Sequence, residues 1–258
     1  MKSGMKITTI GISFLLIGAM GLVQCKDGKE ATGHDSHWTY EGQTGPEKWG
    51  ELSEDFEACK LGKNQSPIDI KDASAADLPE LKLQYKDAGF EVVNNGHTIQ
   101  VNLKDAGKLV IGEDSYSLLQ FHFHHPSEEA VNGERFPLVA HFVHKSDSGE
   151  LAVIGLLFKE GAANESLSGV WSLMPAAADE TNPGEGALNP TSVIKDASAY
   201  YTFKGSLTTP PCSEGVRWIV LKNPATISAE QVEAFKKLYP MNARPIQPLN
   251  DREIQVSN

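Results

Sequence analysis

Short runs of β-branched, aromatic and aliphatic residues, separated by Pro, Gly and Asn, recur along most of this 258-residue chain. Such runs, bounded by turn-forming residues, are typical of β-strands. Helical patterns are few: one covers 228–239, where Ser228 and Gln231 form a capping box and Pro240 ends the segment, and a shorter one lies near 164–173. The pattern predicts one mostly β (α+β) domain. The strand-like runs are 98–103, 108–111, 115–124, 137–144, 151–158, 198–203 and 216–221.

Three histidines on two of these runs suggest a metal site. Side chains alternate along a strand, so His122 and His124 share one face while the phenylalanines beside them share the other. His141 lies on the run 137–144, again on the face opposite an aromatic residue. If the two strands are neighbours, the three imidazoles can converge on one ion, and three neutral nitrogens plus a water form an open, catalytic zinc site. A His-x-His pair alone is also common among core or solvated histidines.

The N-terminus has the pattern of an export signal over residues 1–24: a basic start, an apolar run at 7–23 and a return to polarity. The run has 17 residues and contains Thr, Ser and Gly, whereas a membrane-spanning helix needs about 20 apolar residues, so that alternative ranks second. Cys25 lies directly after this segment, at the position of the lipidated cysteine in a bacterial lipoprotein. Gln24 departs from the small residue that usually precedes that cysteine. Soluble export with a free thiol is the alternative. The polar segment 25–37 predicts a flexible tether.

The cysteine count agrees with export. The chain has three cysteines. If Cys25 is the lipidated residue, Cys59 and Cys212 remain as a potential disulfide pair. An oxidising compartment permits such a bridge. Two unrelated buried thiols are the alternative.

Eight blocks of sequence, in the same order along the chain, resemble the alpha-class carbonic anhydrases. The resemblance runs from Trp38 to Arg252 and implies one domain, which we place at 38–258. It also implies a large, mainly antiparallel twisted β-sheet with short peripheral helices, in agreement with the strand-like runs. The blocks are Trp38-Thr39-Tyr40, Gly45-Pro46-Glu47-Lys48-Trp49, Gln65-Ser66-Pro67-Ile68-Asp69-Ile70, Asn94-Asn95-Gly96-His97, Gln120-Phe121-His122-Phe123-His124, Ser127-Glu128, His141-Phe142-Val143-His144 and Gly205-Ser206-Leu207-Thr208-Thr209-Pro210-Pro211.

The resemblance implies a zinc enzyme that reversibly hydrates carbon dioxide to bicarbonate and a proton. His122, His124 and His141 would be the Zn²⁺ ligands. Thr208 and Glu128 would orient the zinc-bound hydroxide that attacks the substrate: an ionised carboxylate can only accept, so Thr208 donates to Glu128 and keeps its lone pairs for the hydroxide.

Further residues receive roles from the same resemblance. His97 would carry the proton to solvent, as a group titrating near neutrality can. Two of the zinc ligands would be held by hydrogen bonds: His122 by Gln120, and His124 by the carbonyl of Asn242. Trp218 also fits a plain core role. Sulfonamides and anions are expected inhibitors, and cis peptides are implied at Ser66-Pro67 and Pro210-Pro211. The polar lining for the proton path would be Tyr40, Asn95 and Gln100, and the substrate pocket would be Val143, Val153, Leu207, Thr209 and Trp218.

Two positions depart from the family pattern. Relatives often carry Glu two residues before the third ligand, where this chain has Val139. His141 must then find a carbonyl, a water or another carboxylate, or lack support, and we expect weaker zinc retention than in relatives with Glu. Glu129 replaces a histidine found in some relatives, and we expect that change to matter less.

Other functional classes stay open but are less favoured. A non-catalytic envelope protein that binds a partner or stores zinc would be expected to have lost a ligand histidine, and a zinc esterase would need a wider pocket. The formal net charge of −11 and the lack of clustered Lys and Arg disfavour a nucleic-acid partner, and we expect none. The expected location is the cell envelope, either periplasmic or as a membrane-anchored lipoprotein.

Overall fold

A computed structural model describes residues 37–257 of the chain. The predicted signal peptide, Cys25 and the predicted tether up to residue 36 lie outside these residues. Among the described residues, no helix combines the length and the apolarity that crossing a bilayer requires.

Sixteen strands and four short α-helices make up the regular structure of residues 37–257. The helices are α1 Trp49–Leu52, α2 Ala58–Leu61, α3 Ser168–Ser172 and α4 Ala229–Lys236, with 3-10 turns at Gly42–Thr44, Glu54–Phe56, Glu165–Leu167 and Pro190–Ser192. The strands are β1 Asp69–Ile70, β2 Ser74–Ala76, β3 Leu81–Tyr85, β4 Phe90–Asn94, β5 Ile99–Leu103, β6 Gly107–Ile111, β7 Asp114–His124, β8 Ala130–Val131, β9 Glu134–Arg135, β10 Leu138–Lys145, β11 Leu151–Glu160, β12 Glu180–Pro183, β13 Tyr200–Ser206, β14 Glu214–Leu221, β15 Ala225–Ile227 and β16 Gln255–Ser257.

One large sheet organises the domain. Its order is β12-β4-β5-β7-β10-β11-β14-β13-β16-β2. In addition, β6 pairs with β7, β3 pairs with β6 and β15 pairs with β11, while β1, β8 and β9 form a small separate sheet. Most neighbours are antiparallel, but β11 is parallel to β14 and β15, and β16 is parallel to β2. The prediction of a mostly β fold on a large, mainly antiparallel sheet is confirmed.

The two faces of the central strands bury different chemistry. Phe121 of β7 stacks on Phe142 of β10 with ring centroids 4.8 Å apart, in the larger apolar core. The opposite face of these strands carries His122, His124 and His141 and borders a second apolar cluster that includes Val153 and Trp218. Alternation along each strand therefore buries the aromatic side chains on one face and leaves the imidazoles on the other.

The helices match the sequence patterns with small differences at their ends. Ser228 and Gln231 form the predicted capping box at the start of α4, which ends at Lys236 rather than at residue 239. The segment 164–173 is a 3-10 turn followed by α3. Three X-Pro peptides are cis: Ser66-Pro67 and Pro210-Pro211, as the resemblance implies, and also His125-Pro126.

Candidate metal centre

The pairing of β7 with β10 brings three imidazoles together. His122 faces His141 directly in the antiparallel register, and His124 lies two residues along the same face of β7. The ring centroids are 4.8–5.5 Å apart, and one nitrogen from each ring lies within 4.8 Å of the other two. His124 and His141 are each only 1% exposed. The predicted three-histidine cluster is therefore present, and it could hold a metal ion.

In His122 and His124, a hydrogen bond to one ring nitrogen determines which nitrogen is left free to bind a metal ion. The Nδ1–H of His124 donates to the carbonyl oxygen of Asn242 at 2.7 Å, and that of His122 donates to Oε1 of Gln120 at 2.9 Å. A carbonyl oxygen can only accept, so these Nδ1 atoms carry the proton and both Nε2 atoms present a lone pair. The contacts are the ones that the resemblance implies for Gln120 and Asn242.

His141 is held differently. Its Nε2–H donates to the carboxylate of Glu129, 3.0 Å from Oε1 and 3.2 Å from Oε2, which leaves Nδ1 as the free nitrogen. Val139 lies in the apolar cluster and offers no polar atom. Of the alternatives open for His141, the structure shows another carboxylate, that of Glu129. The expectation that the change at Glu129 matters less is therefore revised, and weaker zinc retention stays a prediction.

Burial favours the neutral form of two of the three histidines. It lowers the pKa of His122 to about 3, helped by repulsion from His141, and it holds the pKa of His124 well below the usual 6.5. Burial also opposes protonation of His141, but Glu129 and Glu128 outweigh it and raise the pKa of His141. Neutral imidazoles are the form that binds metal.

Glu128 lies beside the free nitrogens and is fully buried. Its Oε1 accepts from the backbone N–H of Arg244 at 2.8 Å, while Oε2 lies 3.4 Å from Nε2 of His124 and 3.8 Å from Nδ1 of His141. Burial raises the pKa of this carboxyl to about 7, against the opposing effects of His141, the Thr208 hydroxyl and the Arg244 N–H. Thr208 is therefore adjacent to Glu128, as predicted, and their catalytic roles stay predictions.

Two buried polar atoms without a hydrogen-bond partner indicate whether a cation fits between the three histidines. Nε2 of His124 and Oε2 of Glu128 are buried with no hydrogen-bond partner. Buried polar atoms are rarely left unsatisfied. Three lone-pair nitrogens with a carboxylate behind them are the donor set that Zn²⁺ prefers. The residues present therefore fit a zinc ion.

An apolar wall stands on the same sheet face as the ligands. Val143 of β10 pairs with Val153 of β11, which pairs in turn with Trp218 of β14. The Trp218 ring lies 4.9 Å from that of His141, and Leu207 packs against the same cluster. Trp218 is also a core residue, 2% exposed, and its buried Nε1–H donates to the carbonyl of Ser206 at 3.0 Å.

Thr209 lies in the loop after β13, half-buried. The backbone N–H of Cys212 donates to its carbonyl oxygen at 2.8 Å. The loop conformation is therefore fixed by its own hydrogen bond. The predicted role of Thr209 in substrate binding stays a prediction.

His97 stands at the edge of the site. Its ring stacks on Trp38 with centroids 3.7 Å apart and planes 9° apart. Burial and repulsion from His37 lower its pKa below 6.5, partly opposed by Asp179. Asn95 Oδ1 accepts from the His97 backbone N–H at 3.0 Å and fixes the turn that carries the ring.

The residues of the predicted polar lining lie near His97 and the three-histidine cluster. The amide of Asn95 donates to Oε1 of Gln100 at 3.4 Å, and Gln100 pairs with His122 across β5 and β7. The Tyr40 hydroxyl is buried without a partner, and burial together with the nearby Glu128 raises its pKa well above 10. These residues thus lie around the ligand cluster, and their part in proton transfer stays a prediction.

The disulfide joins α2 to the loop after β13. Cys59 and Cys212 are bonded, with Cα atoms 5.0 Å apart. The Arg244 guanidinium donates to the Cys59 carbonyl at 3.1 Å, and Gln65 donates to that of Cys212 at 3.0 Å. Sequence reasoning missed Arg244, which lies in an irregular segment near the C-terminus with no pattern to mark it.

Comparisons with known proteins agree with this arrangement. Residues 44–258 match the family model described as eukaryotic-type carbonic anhydrase. The chain is 47% identical to a carbonic anhydrase from Pectobacterium carotovorum over 84% of its length and 90% of the relative's. It is 46% identical to the alpha-carbonic anhydrase from Thermovibrio ammonificans solved in complex with the inhibitor sulfanilamide, with a TM-score of 0.83 over 86% of this chain and 99% of that one. The alpha-carbonic anhydrase from Photobacterium profundum is 44% identical, with a TM-score of 0.80 over 86% and 100% of the two chains.

Proposed function

Because the chain belongs to the eukaryotic-type, or alpha, carbonic anhydrase family, we propose that it is a zinc enzyme that reversibly hydrates carbon dioxide to bicarbonate and a proton. The observation that supports this function most directly is the convergence of three imidazole nitrogens within 4.8 Å on one sheet face. Three protein ligands leave a fourth position for solvent, which is the arrangement of a catalytic zinc site.

His122 and His124 would hold the ion through Nε2, and His141 through Nδ1. Bound zinc supplies the Lewis acidity that makes water a nucleophile at neutral pH, which is the established chemistry of this family. The chain's own contribution is orientation. Glu128 accepts the Arg244 N–H and, when ionised, accepts from Thr208, so that the Thr208 oxygen presents its lone pairs to the solvent side of the site.

The apolar wall suits an uncharged substrate. The apolar cluster beside the three histidines includes Val143, Val153, Leu207 and Trp218. Carbon dioxide carries no charge and accepts hydrogen bonds poorly, so a pocket of this kind excludes water without sacrificing a polar contact. Thr209 offers a hydroxyl to the charged product. The same surface would receive a sulfonamide, in keeping with the sulfanilamide complex of the Thermovibrio relative.

Each turnover leaves one proton that must reach buffer. His97 is a half-buried titratable group and the proposed proton carrier. An imidazole titrating near or below neutrality can accept and release a proton at working pH. Asn95, Gln100 and Tyr40 supply polar atoms between it and the ligands, over which ordered water can relay the proton.

Stopped-flow hydration of carbon dioxide by the full chain tests this proposal. We expect turnover that requires one equivalent of zinc, is abolished by a chelator, and is inhibited by sulfanilamide. A His122→Ala variant should lose zinc and activity, whereas His144→Gln, which changes a histidine on the opposite face of β10, should keep both. Absence of turnover in zinc-loaded, folded protein would overturn the proposal.

We also infer export, with lipidation of Cys25 as the finer proposal. The disulfide between Cys59 and Cys212 is compatible with an oxidising compartment. Fractionation of cells that produce the full chain should recover it in the envelope, and Cys25→Ser should move it from the membrane fraction to the soluble fraction. Recovery of both forms in the soluble fraction would refute lipidation.

A further inference from the structure

Glu129 is a fully buried carboxylate with one polar contact. Both of its oxygens lie against Nε2 of His141, at 3.0 and 3.2 Å, and its side chain makes no other hydrogen bond among the described residues. Burying a carboxylate is costly unless it is paired and hydrogen-bonded. This side chain is therefore tolerated at this position because of the contact with His141.

The segment that carries Glu129 is fixed at several points. The Ser127 hydroxyl donates to the Glu129 carbonyl at 2.6 Å and accepts from the backbone N–H of Phe136 at 2.9 Å. The Ser127 N–H donates to the Phe136 carbonyl at 2.8 Å. The carboxylate consequently approaches His141 from a rigid backbone and can impose an orientation on the ring.

The sheet leaves room for the carboxylate. Gly155 faces His141 across β10 and β11, and a Cβ at that position would lie 4.0 Å from Cδ of Glu129 and 3.5 Å from a Val220 methyl group. Even a Cβ at position 155 would meet the carboxylate only at an ordinary van der Waals distance, so the Gly155 backbone does not crowd Glu129.

We propose that Glu129 is the positioning residue of the third ligand: its carboxylate accepts the Nε2–H of His141 and so holds Nδ1 toward the other two imidazoles. The inference rests on the proposed zinc site. Two adjacent residues then contact opposite sides of the His141 ring, because Glu128 lies toward Nδ1 and Glu129 toward Nε2. Loss of such an outer partner typically costs about 10- to 100-fold in metal affinity.

Zinc dissociation constants, measured by competition with a chromophoric chelator on the folded full chain, test the proposal. We expect Glu129→Ala to weaken zinc binding about 10- to 100-fold. Glu129→Gln keeps an oxygen acceptor of the same reach and should recover most of that loss. Glu134→Ala removes an exposed carboxylate five residues away and is the matched control, with the parent's affinity.

A second readout separates positioning from a general effect on folding. Cobalt-substituted protein reports ligand geometry through its visible absorption, and we expect the spectrum of Glu129→Ala to change while that of Glu134→Ala matches the parent. If Glu129→Ala lowers the unfolding temperature of the metal-free protein but leaves zinc affinity and cobalt spectrum unchanged, the residue is merely structural and the inference is overturned. If the parent itself binds no zinc, the proposed function fails instead.

Discussion

Breaking the disulfide between Cys59 and Cys212 should destabilise the fold by a predictable amount. The bridge closes a loop of 153 positions. In the chain-entropy model, a loop of that length restricts the unfolded chain enough to stabilise the native state by about 5 kcal/mol, and measured bridges typically contribute about 2–4 kcal/mol. We expect the free energy of unfolding to fall by about 2–5 kcal/mol when the bridge is absent.

The loss should reach the site as well. The Cys212 N–H donates to the Thr209 carbonyl at 2.8 Å. At the other end of the bridge, Arg244 donates to the Cys59 carbonyl through its guanidinium and to Glu128 through its backbone N–H. Both segments that surround the proposed catalytic pair are thus anchored by the disulfide, so we expect slower turnover in molecules that remain folded.

A Cys59→Ala/Cys212→Ala variant is preferable to chemical reduction, because thiol reductants also bind zinc. Guanidinium unfolding followed by tryptophan fluorescence gives the stability, and stopped-flow hydration at equal zinc content gives the rate. Cys25→Ser is the control that leaves the bridge intact. Superimposable unfolding curves for the double variant and the control would refute the reasoning.

Three further outcomes follow from single contacts. Glu128→Gln replaces an acceptor with a group that can donate to Thr208, and we expect hydration to slow about 10- to 100-fold at equal zinc content, measured by stopped flow; an unchanged rate would contradict the assigned role. Burial lowers the pKa of His144 to about 4, whereas an unfolded histidine titrates near 6.5. The unfolded chain therefore binds the extra proton, and the free energy of unfolding falls by about 3 kcal/mol as the pH drops from about 6.5 to about 4. Chemical denaturation across this range should show a shallower dependence of stability on pH in His144→Gln. Phe121→Ala removes a fully buried ring that stacks on Phe142, which should cost about 3–5 kcal/mol in chemical denaturation, and a loss under 1 kcal/mol would show that this core closes around the gap.

Among the strands that sequence patterns predicted, β7 and β10 have two chemically different faces. β7 and β10 carry alternating side chains because one face meets the aromatic core and the other the metal cluster. β12, with the sequence Glu-Thr-Asn-Pro, is exposed throughout, and β2 is mostly exposed. Strands of this kind are specified by pairing with a neighbour rather than by burial of their own side chains, and no local period identifies them.

The ligand histidines could be predicted for the same reason. A period of two places His122 and His124 on one face, and an antiparallel partner then brings His141 opposite. The Glu129 contact has no such local rule. It depends on how the segment after β7 folds back toward β10, which is decided by long-range contacts such as those of Ser127 with Phe136. Arg244 is similar, because its partners lie about 180 residues earlier in the chain.

The position of the Glu129 carboxylate also affects which residue type can occupy position 139 in the apolar cluster. The requirement at His141 is a hydrogen-bond acceptor within reach of Nε2, and it can be met from the same strand or from a facing segment. Because Glu129 meets it from outside β10, position 139 is free to be apolar. Val139 is fully buried and belongs to the cluster that also contains Val153 and Trp218. A carboxylate at 139 would place a charge in that cluster, and two buried carboxylates competing for one Nε2–H would repel each other. Val139→Glu alone should therefore destabilise the parent, and the same change should be tolerated better once Glu129 is replaced by Ala.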